Sequence, residues 1–423
     1  MPGRALRAGE ESVGQIKFFS SDPGAGWLLC DGNAVSKTSY PELVGLLDEG
    51  MAQVALPILS TTTGAFSFAV NGEVHLCKTR DAALTSTSFA FSSDGVNFTN
   101  YTGVKTALEA KLTAQYGAAV YQVRSAFLIH DGTQYIWFMH VYAAATGNEH
   151  VYTLTATSPS GTWTVQGNHQ TIGDEGSAWR GIINAGYISG TSTYWFIENS
   201  YGNLRYSTNL TTWSSTAISN TVRIQAYWDG SQFIISRNGS AALYGSNPAA
   251  LSTTSPTGFA IVKGVDGFFS ISNTGSTYNI QKASTINGTY SSVTELLTIR
   301  GIGCSKVQNV MYHPLIGTIM QQGETAAPSY VSPGNNILLQ TKKPGDPSSY
   351  RRLDTKANYP GASVQGVFDV VTVSGGFVAL SPQSYANGYN NFVYGTAIFR
   401  YGLMLPNIPP IGDGRAAYMR VYR

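Results

Sequence analysis

One short phrase recurs along the chain, and its spacing constrains the fold more than any other feature. A strand-like run ends in Ser, two to four small or polar residues including Gly or Asn follow, and an aromatic closes the phrase. It reads Ser92-Ser93-Asp94-Gly95-Val96-Asn97-Phe98, Ser158-Pro159-Ser160-Gly161-Thr162-Trp163, Ser207-Thr208-Asn209-Leu210-Thr211-Thr212-Trp213 and Ser284-Thr285-Ile286-Asn287-Gly288-Thr289-Tyr290. Weaker echoes start at Ser246-Asn247-Pro248, Lys343-Pro344-Gly345-Asp346 and Ser381-Pro382. Successive starts lie mostly about 38 to 66 residues apart, the period of units that bury their faces by stacking on one another. Gly, Asn and Asp permit a left-handed turn, the Ser hydroxyl bonds the local backbone, and the aromatic folds back between units. Each phrase therefore predicts a hairpin joining the outer two strands of a small antiparallel sheet.

The alternating runs Thr193-Tyr194-Trp195-Phe196-Ile197, Gln232-Phe233-Ile234-Ile235-Ser236 and Gly376-Phe377-Val378-Ala379-Leu380 each follow a Gly-containing turn and predict innermost strands. The expected class is mainly β: a β-propeller of about seven blades, six or eight being compatible with the same spacing. The phrases resemble the Asp-box of sialidase-like propellers, although only the Ser92 copy keeps Asp followed by Gly. One segment departs from the pattern. Thr106–Tyr116 combines high helix propensity with apolar spacing at Leu108, Leu112 and Tyr116, and predicts a helical decoration between blades.

Composition narrows the function. Charged residues are 12% of the chain, against about 25% in ordinary soluble domains. The 46 glycines and 25 tyrosines, with many Ser, Thr and Asn, fill the difference. Cell-surface β proteins and virion fibres share this character. A net charge of +2 provides no field for steering nucleic acid or anionic membrane. No phosphate-binding or dinucleotide motif occurs, so no nucleic-acid partner and no cofactor are expected. No run of about 18 apolar residues occurs, so no membrane insertion is expected, and the N-terminus lacks a secretory apolar core. A surface of that kind without an export signal fits a protein released by lysis. Cys30, Cys77 and Cys304 lack metal-knuckle spacing and read as buried apolar residues. The histidines His75, His130, His140, His150, His169 and His313 form neither His-x-His nor HExxH, so no metal site is expected.

The two ends of the chain carry a different signal. From Gly14 to Leu47 the residues predict a strand at Gln15–Phe19, a turn at Asp22-Pro23-Gly24, a second strand at Trp27–Cys30 and a turn at Asp31-Gly32-Asn33. A helix is expected next, with Ser39 as cap, Glu42 completing a capping box, Pro41 in the first turn and Leu43, Leu46 and Leu47 on one face. The order Gly14, Ile16, then Pro23, Gly26, Trp27, Cys30, Asp31, Gly32, then Tyr40 and Leu43 closely resembles the phage tail collar domain. The resemblance covers about 35 residues. The family's Leu-Pro segment followed by a final strand is found only at the far end, as Leu405-Pro406-Asn407-Ile408 and Ala417-Tyr418-Met419-Arg420-Val421, since the nearer Leu56-Pro57 lacks the closing strand.

The expected organisation is an arm at 1–13, a split α+β collar-like domain at 14–51 plus 401–423, and a propeller inserted at 52–400. The resemblance implies a bacteriophage tail-fibre or baseplate-tip protein located in the virion. It further implies a homotrimer contacting other tail and baseplate proteins, docked through the arm and the collar-like domain. The arm is too short for an attachment domain of its own.

Three roles for the propeller remain open at this point. It can recognise a host-surface glycan or protein, fill space as a purely architectural part, or cleave glycans as a sialidase-like depolymerase. A lectin-like propeller unrelated to phage is a further class. Hydrolysis needs convergent groups: candidates are Arg180, Arg205, Arg223, Arg237 and Arg300 with Asp174, Glu175 and Glu198. Surface or inter-blade ion pairs explain the same residues, and no enzyme is expected. For recognition, turn-borne aromatics beside Asn or Asp make the best platforms. Of Trp137, Trp179, Tyr201, Tyr227, Trp228, Tyr385 and Tyr389, the favoured receptor-binding set is Trp228 and Asp229 with Tyr385, Asn387 and Tyr389.

Overall fold

Five of the recurring phrases occupy one structural position. In the computed structural model, the described residues are 12–35, 39–54, 66–79, 82–95, 97–117, 119–144, 147–169, 182–198, 203–218, 224–237, 240–258, 260–264, 267–274, 277–295, 306–313, 317–323, 337–341, 351–352, 354–356, 369–372, 378–381, 384–386, 391–393 and 398–421. Six four-stranded antiparallel sheets follow one another in chain order. Sheet I is Phe66–Val70, Glu73–Cys77, Phe89–Ser92 and Thr99–Tyr101; sheet II is Tyr121–His130, Tyr135–Ala143, Asn148–Ala156 and Thr164–His169. Sheet III is Ile182–Ile188, Thr193–Glu198, Asn203–Ser207 and Ser214–Ala217; sheet IV is Ile224–Trp228, Phe233–Arg237, Ser240–Gly245 and Ser252–Gly258. Sheet V is Ala260–Gly264, Gly267–Thr274, Thr277–Ala283 and Ser291–Glu295; sheet VI is Lys306–His313, Gly317–Gly323, Ile337–Thr341 and Arg351–Arg352. In sheets I to V a phrase joins the third strand to the fourth, and the Lys343 copy lies outside the described residues.

The phrase chemistry repeats as well. Asp94 Oδ1 accepts from Ser92 Oγ and Asn97 N, both at 2.8 Å, and Gly95 turns at φ +74°. In sheet III, Asn209 Oδ1 takes the acceptor role, receiving Thr211 N at 2.9 Å and Thr212 N at 2.8 Å, and Leu210 turns at φ +61°. Trp163 Nε1 donates to Pro159 O at 3.0 Å, and Tyr290 OH donates to Ile286 O at 3.1 Å, the same step of four residues in two sheets. The closing aromatics fill seams between sheets. Trp163 stacks on Tyr101 of sheet I at 6.1 Å, and Trp213 lies against Phe138 of sheet II and Phe196 of sheet III. The seventh expected copy differs: Ser381 ends a second strand rather than a third, and Pro382 lies outside the described residues.

First strands adjoin one another in succession. Tyr121–His130 lies beside both Phe66–Val70 and Ile182–Ile188, which in turn adjoins Ile224–Trp228. Ala260–Gly264 adjoins Phe233–Arg237 and Lys306–His313. The runs expected to be innermost are therefore one place out: Thr193–Glu198, Phe233–Arg237 and Val378–Ser381 are second strands. A strand after a tight Gly turn is the return arm of a hairpin, so the turn marks strand two.

A seventh sheet draws on both halves of the chain. Its order is Asp369–Thr372, Val378–Ser381, Ile398–Met404, Glu49–Val54 and, parallel at the edge, Asp354–Lys356. Asp369–Thr372 lies beside the first strand of sheet I. Ile398–Met404 and Glu49–Val54 cross the boundaries expected at 400/401 and 51/52. At its far end Ile398–Met404 also pairs with Ala34–Val35. Gly402 permits this approach, because a Cβ there would meet the Val35 carbonyl.

The main core lies where sheets I, II and III face each other. Tyr135–Ala143 is buried on both faces, with Ile136, Trp137, Phe138 and Met139 fully inside. A sheet covered on both sides needs a continuous apolar run rather than alternation. Helix α1, Gly103–Tyr116, buries Val104, Leu108 and Leu112 over the outer two strands of sheet II, and Gly117 at φ +75° ends it. It begins three residues earlier than expected, where Gly103 lets the backbone approach Trp163.

The chain ends meet in a small three-stranded sheet, in which Ala416–Arg420 lies between Ile16–Phe19 and Trp27–Leu29. Gly32 N donates to Pro406 O at 3.1 Å, Ile408 N to Cys30 O at 3.0 Å and Cys30 N to Ala417 O at 2.9 Å. Cys30, Val35, Tyr40, Leu43, Leu403, Leu405, Ala417, Met419 and Val421 form its core. Gly14, Gly26 and Gly32 all take positive φ. A side chain at Gly26 would strike the Arg420 guanidinium, which donates to Gly26 O at 3.2 Å. Pro23 sits in a turn where Gly24 N bonds Asp22 Oδ1 at 2.8 Å.

The expected helix after Ser39 is only a 3-10 turn, Pro41–Leu43, with Tyr40 rather than Ser39 at its N-cap. Gly45 at φ +87° stops it, leaving Leu43 buried and Leu46 58% exposed.

Candidate functional site

The hairpins joining first to second strands form a second repeated set. Sheets II and IV share Asp131-Gly132-Thr133-Gln134-Tyr135 and Asp229-Gly230-Ser231-Gln232-Phe233, an echo in sequence as well as in space. Asp131 Oδ1 accepts from Thr133 N at 2.8 Å, Thr133 Oγ1 at 2.8 Å and Gln134 N at 2.9 Å. Asp229 Oδ1 accepts from Ser231 N at 2.8 Å, Ser231 Oγ at 2.9 Å and Gln232 N at 2.7 Å. Gly132 and Gly230 supply the left-handed residue at φ +101° and +97°. Sheet I turns at Asn71-Gly72, and sheet III through Ser189–Thr191 with Ser192 at φ +50°.

Polar side chains of these hairpins reach across to the neighbouring sheets. Tyr135 OH of sheet II donates to Glu73 Oε2 at 2.6 Å and accepts from Asn71 Nδ2 at 2.8 Å, both in sheet I. Tyr194 OH of sheet III donates to Asp131 Oδ2 at 2.8 Å. Trp228 of sheet IV lies beside Gly190 of sheet III, where a Cβ would be 3.8 Å from the indole. Lys263 Nζ of sheet V sits 3.2 Å from Asp229 Oδ2. The result is one continuous rim across sheets I to V. Its accessible groups are hydroxyls and amides, including exposed Asn71, Thr133, Ser189, Thr191, Ser192 and Ser231, with half-buried Gln134, Tyr187, Tyr194 and Trp228 between them. Tyr187 and Tyr194 pair across sheet III with ring centroids 4.9 Å apart.

The electrostatics of the rim follow from its bonding. Burial opposes charge on Glu73, yet hydrogen bonds from His75 and Tyr135 hold its carboxyl below the usual range. Burial likewise opposes charge on Asp131 and Asp229, and the turn N–H and hydroxyl donors outweigh it in both. Burial lowers His75 and His130, favouring neutral rings. Tyr135 is pushed up to about 12, first by burial and then by Glu73.

The sequence-predicted residues divide accordingly. Trp228 is half-buried on the rim, but the Asp229 carboxylate is 1% exposed and spent on its turn and on Lys263. Tyr385 lies in the short strand Ser384–Ala386, and Asn387 and Tyr389 lie outside the described residues. Trp137 is core, and Tyr227 OH donates to Ile261 O of sheet V at 2.9 Å. Trp179 and Tyr201 lie outside the described residues.

Of the hydrolase candidates, Arg205 pairs with Glu198 inside sheet III, Nε to Oε1 at 2.9 Å. Arg237 is described only as part of its strand, while Asp174, Glu175, Arg180, Arg223 and Arg300 lie outside the described residues. Among the described residues, no group of three His, Cys, Asp or Glu gathers to metal-binding size, and no helix is long and apolar enough to cross a membrane. Cys30 and Cys77 are buried free thiols, pushed up to about 11 and about 12, chiefly by burial.

No family model and no curated protein matches the sequence. Among solved structures, the chain is similar to a catalytically inactive virginiamycin B lyase from Staphylococcus aureus with quinupristin, at 12% identity and TM-score 0.48, covering 84% of this chain and 100% of that one. It is also similar to the dihydro-heme d1 dehydrogenase NirN, at 10% identity and TM-score 0.39 over 86% of this chain and 80% of that one. An exo-beta-1,3-galactanase from Phanerochaete chrysosporium matches at 10% identity and TM-score 0.31, over 94% of this chain and 100% of that one. Likeness this weak carries no functional argument.

Proposed function

We propose that this chain is a structural, non-enzymatic component of a bacteriophage tail, a fibre or baseplate tip. In this reading about seven radially arranged sheets form a propeller inserted into a small collar-like unit built from both chain ends. The collar-like unit engages other tail proteins as a homotrimer, and the propeller displays a surface for a host glycan or protein. The observation that carries the reading is the junction of the ends: Cys30, Asp31 and Gly32 of the collar-like string bond directly to the segment around Leu405, Pro406 and Ile408. Receptor recognition draws on the hairpin rim, where aromatic rings stand among exposed hydroxyls and amides. The ion pair of Arg205 with Glu198 weighs against a sialidase-like centre, since that guanidinium is already spent.

The test has two arms. Mass spectrometry of purified particles is expected to find the protein as a stoichiometric tail component. The isolated chain is expected to compete with those particles for adsorption to host cells. Particles that lack the protein, together with a soluble form that depolymerises host polysaccharide, would establish the enzyme instead.

A further inference from the structure

We infer that the hairpin rim takes an uncharged saccharide and rejects acidic sugars, an inference that rests on the recognition reading above. Two observations meet at sheet III. The exposed turn Ser189-Gly190-Thr191-Ser192 offers hydroxyls, while the Tyr187–Tyr194 pair stands at the base of that turn and Trp228 stands on its sheet IV side. Aromatic faces stack on the C–H faces of sugar rings, and nearby hydroxyls and amides fix orientation. The ring of Tyr194 is held in place because its hydroxyl is tied to Asp131 at 2.8 Å.

The second observation is charge. The described rim carries three carboxylates, Glu73, Asp131 and Asp229, all held ionised by hydrogen bonds. It carries one ammonium, Lys263, and that is consumed by Asp229. His75 and His130 are disposed to stay neutral, so neither supplies a counter-charge near pH 7. A sialic or uronic carboxylate is held most strongly by a guanidinium or ammonium, and the one ammonium of the described rim is already paired. An approaching carboxylate instead meets a negative field. Neutral hexoses and N-acetylhexosamines meet no such barrier.

The experiment is calorimetric titration of the full chain with maltohexaose, cellohexaose and chitohexaose, set against sialyllactose and hexagalacturonate. At least one neutral probe is expected to bind, the acidic probes are expected not to, and Trp228→Ala is expected to weaken the neutral probe at least tenfold. Ser189→Lys, at an exposed position that leaves packing intact, is expected to shift selectivity toward the acidic probes. Preferred binding of an acidic probe by the unaltered chain, or neutral binding indifferent to Trp228→Ala, overturns the inference while leaving receptor recognition standing. If no probe binds but the chain still blocks particle adsorption, the saccharide assignment fails alone. If it neither binds nor blocks, both fail.

Discussion

The stacked sheets and the unit at the chain ends solve the same burial problem with unequal success. In sheets I to III each face is covered by a neighbour, so residues as large as Trp137, Phe138 and Tyr152 are fully enclosed. The terminal unit has one three-stranded sheet and a 3-10 turn with which to cover its core. It leaves Ile16 at 38%, Phe18 at 39%, Leu29 at 42%, Val44 at 55% and Leu46 at 58% exposed. Small bodies bury a smaller fraction of their surface, and the exposed side chains lie on both faces of the sheet, Ile16 and Phe18 opposite Met419 and Ala417, and Leu29 opposite Tyr418. The described sheets I to III enclose their largest side chains, whereas the terminal unit leaves several of its own in contact with solvent.

Four measurements break or sharpen that contrast. Trp137→Ala removes a ring wedged against Phe68 and Phe89, whose Nε1 donates to Tyr101 OH at 3.2 Å. It is expected to cost about 3–5 kcal/mol in chemical denaturation, and a loss under 1 kcal/mol would show the stack to be loosely packed. Leu43→Ala empties the centre of the terminal core and is expected to cost about 2–4 kcal/mol. That loss should fall on a separate transition, leaving the near-ultraviolet signal of the sheets in place. A single merged transition would show the two regions to be one cooperative body.

Acidification should act on the stack through the rim. His75 has its folded pKa lowered, so the unfolded chain takes up protons first and stability falls as pH drops through about 6.5. Glu73, Asp131 and Asp229 are also depressed, so their contribution is present above about pH 4 and disappears as pH falls through their folded values. Denaturation midpoints measured from pH 8 to pH 3 should therefore decline in two stages, and His75→Asn should remove part of the first. A midpoint that rises on acidification would refute this assignment. The smallest effect belongs to the exposed pair Val44 and Leu46. Val44→Ser with Leu46→Ser is expected to change stability by no more than about 0.5 kcal/mol, yet to reduce self-association in sedimentation. Unchanged association would locate the contact elsewhere.

Much of the sheet stack was legible because turn chemistry is local. Ser92 with Asp94, and Ser207 with Asn209, announce third-to-fourth hairpins by residue type alone, and α1 announces itself by Leu108 and Leu112. The position of a strand within its sheet was not legible, because Thr193–Glu198 and Phe233–Arg237 have the apolar content of any enclosed strand. The Asp-Gly-Thr-Gln and Asp-Gly-Ser-Gln turns are legible as a repeat, but residue type alone presents Asp229 as a binding group. Its role depends on Lys263 and on its own backbone, which meet it only once the sheets are folded. The failed helix after Ser39 has a plainer cause: good capping residues cannot outweigh Gly45 placed two residues beyond the turn.

The strand Ile398–Met404 belongs to two bodies at once, paired to Glu49–Val54 along its length and to Ala34–Val35 at its tip. Glu49 pairs with Leu403, so both connections to the terminal unit leave from the same end of this antiparallel pair. Tension from that unit would therefore draw on the two strands together and be shared by the remaining ladders of the seventh sheet.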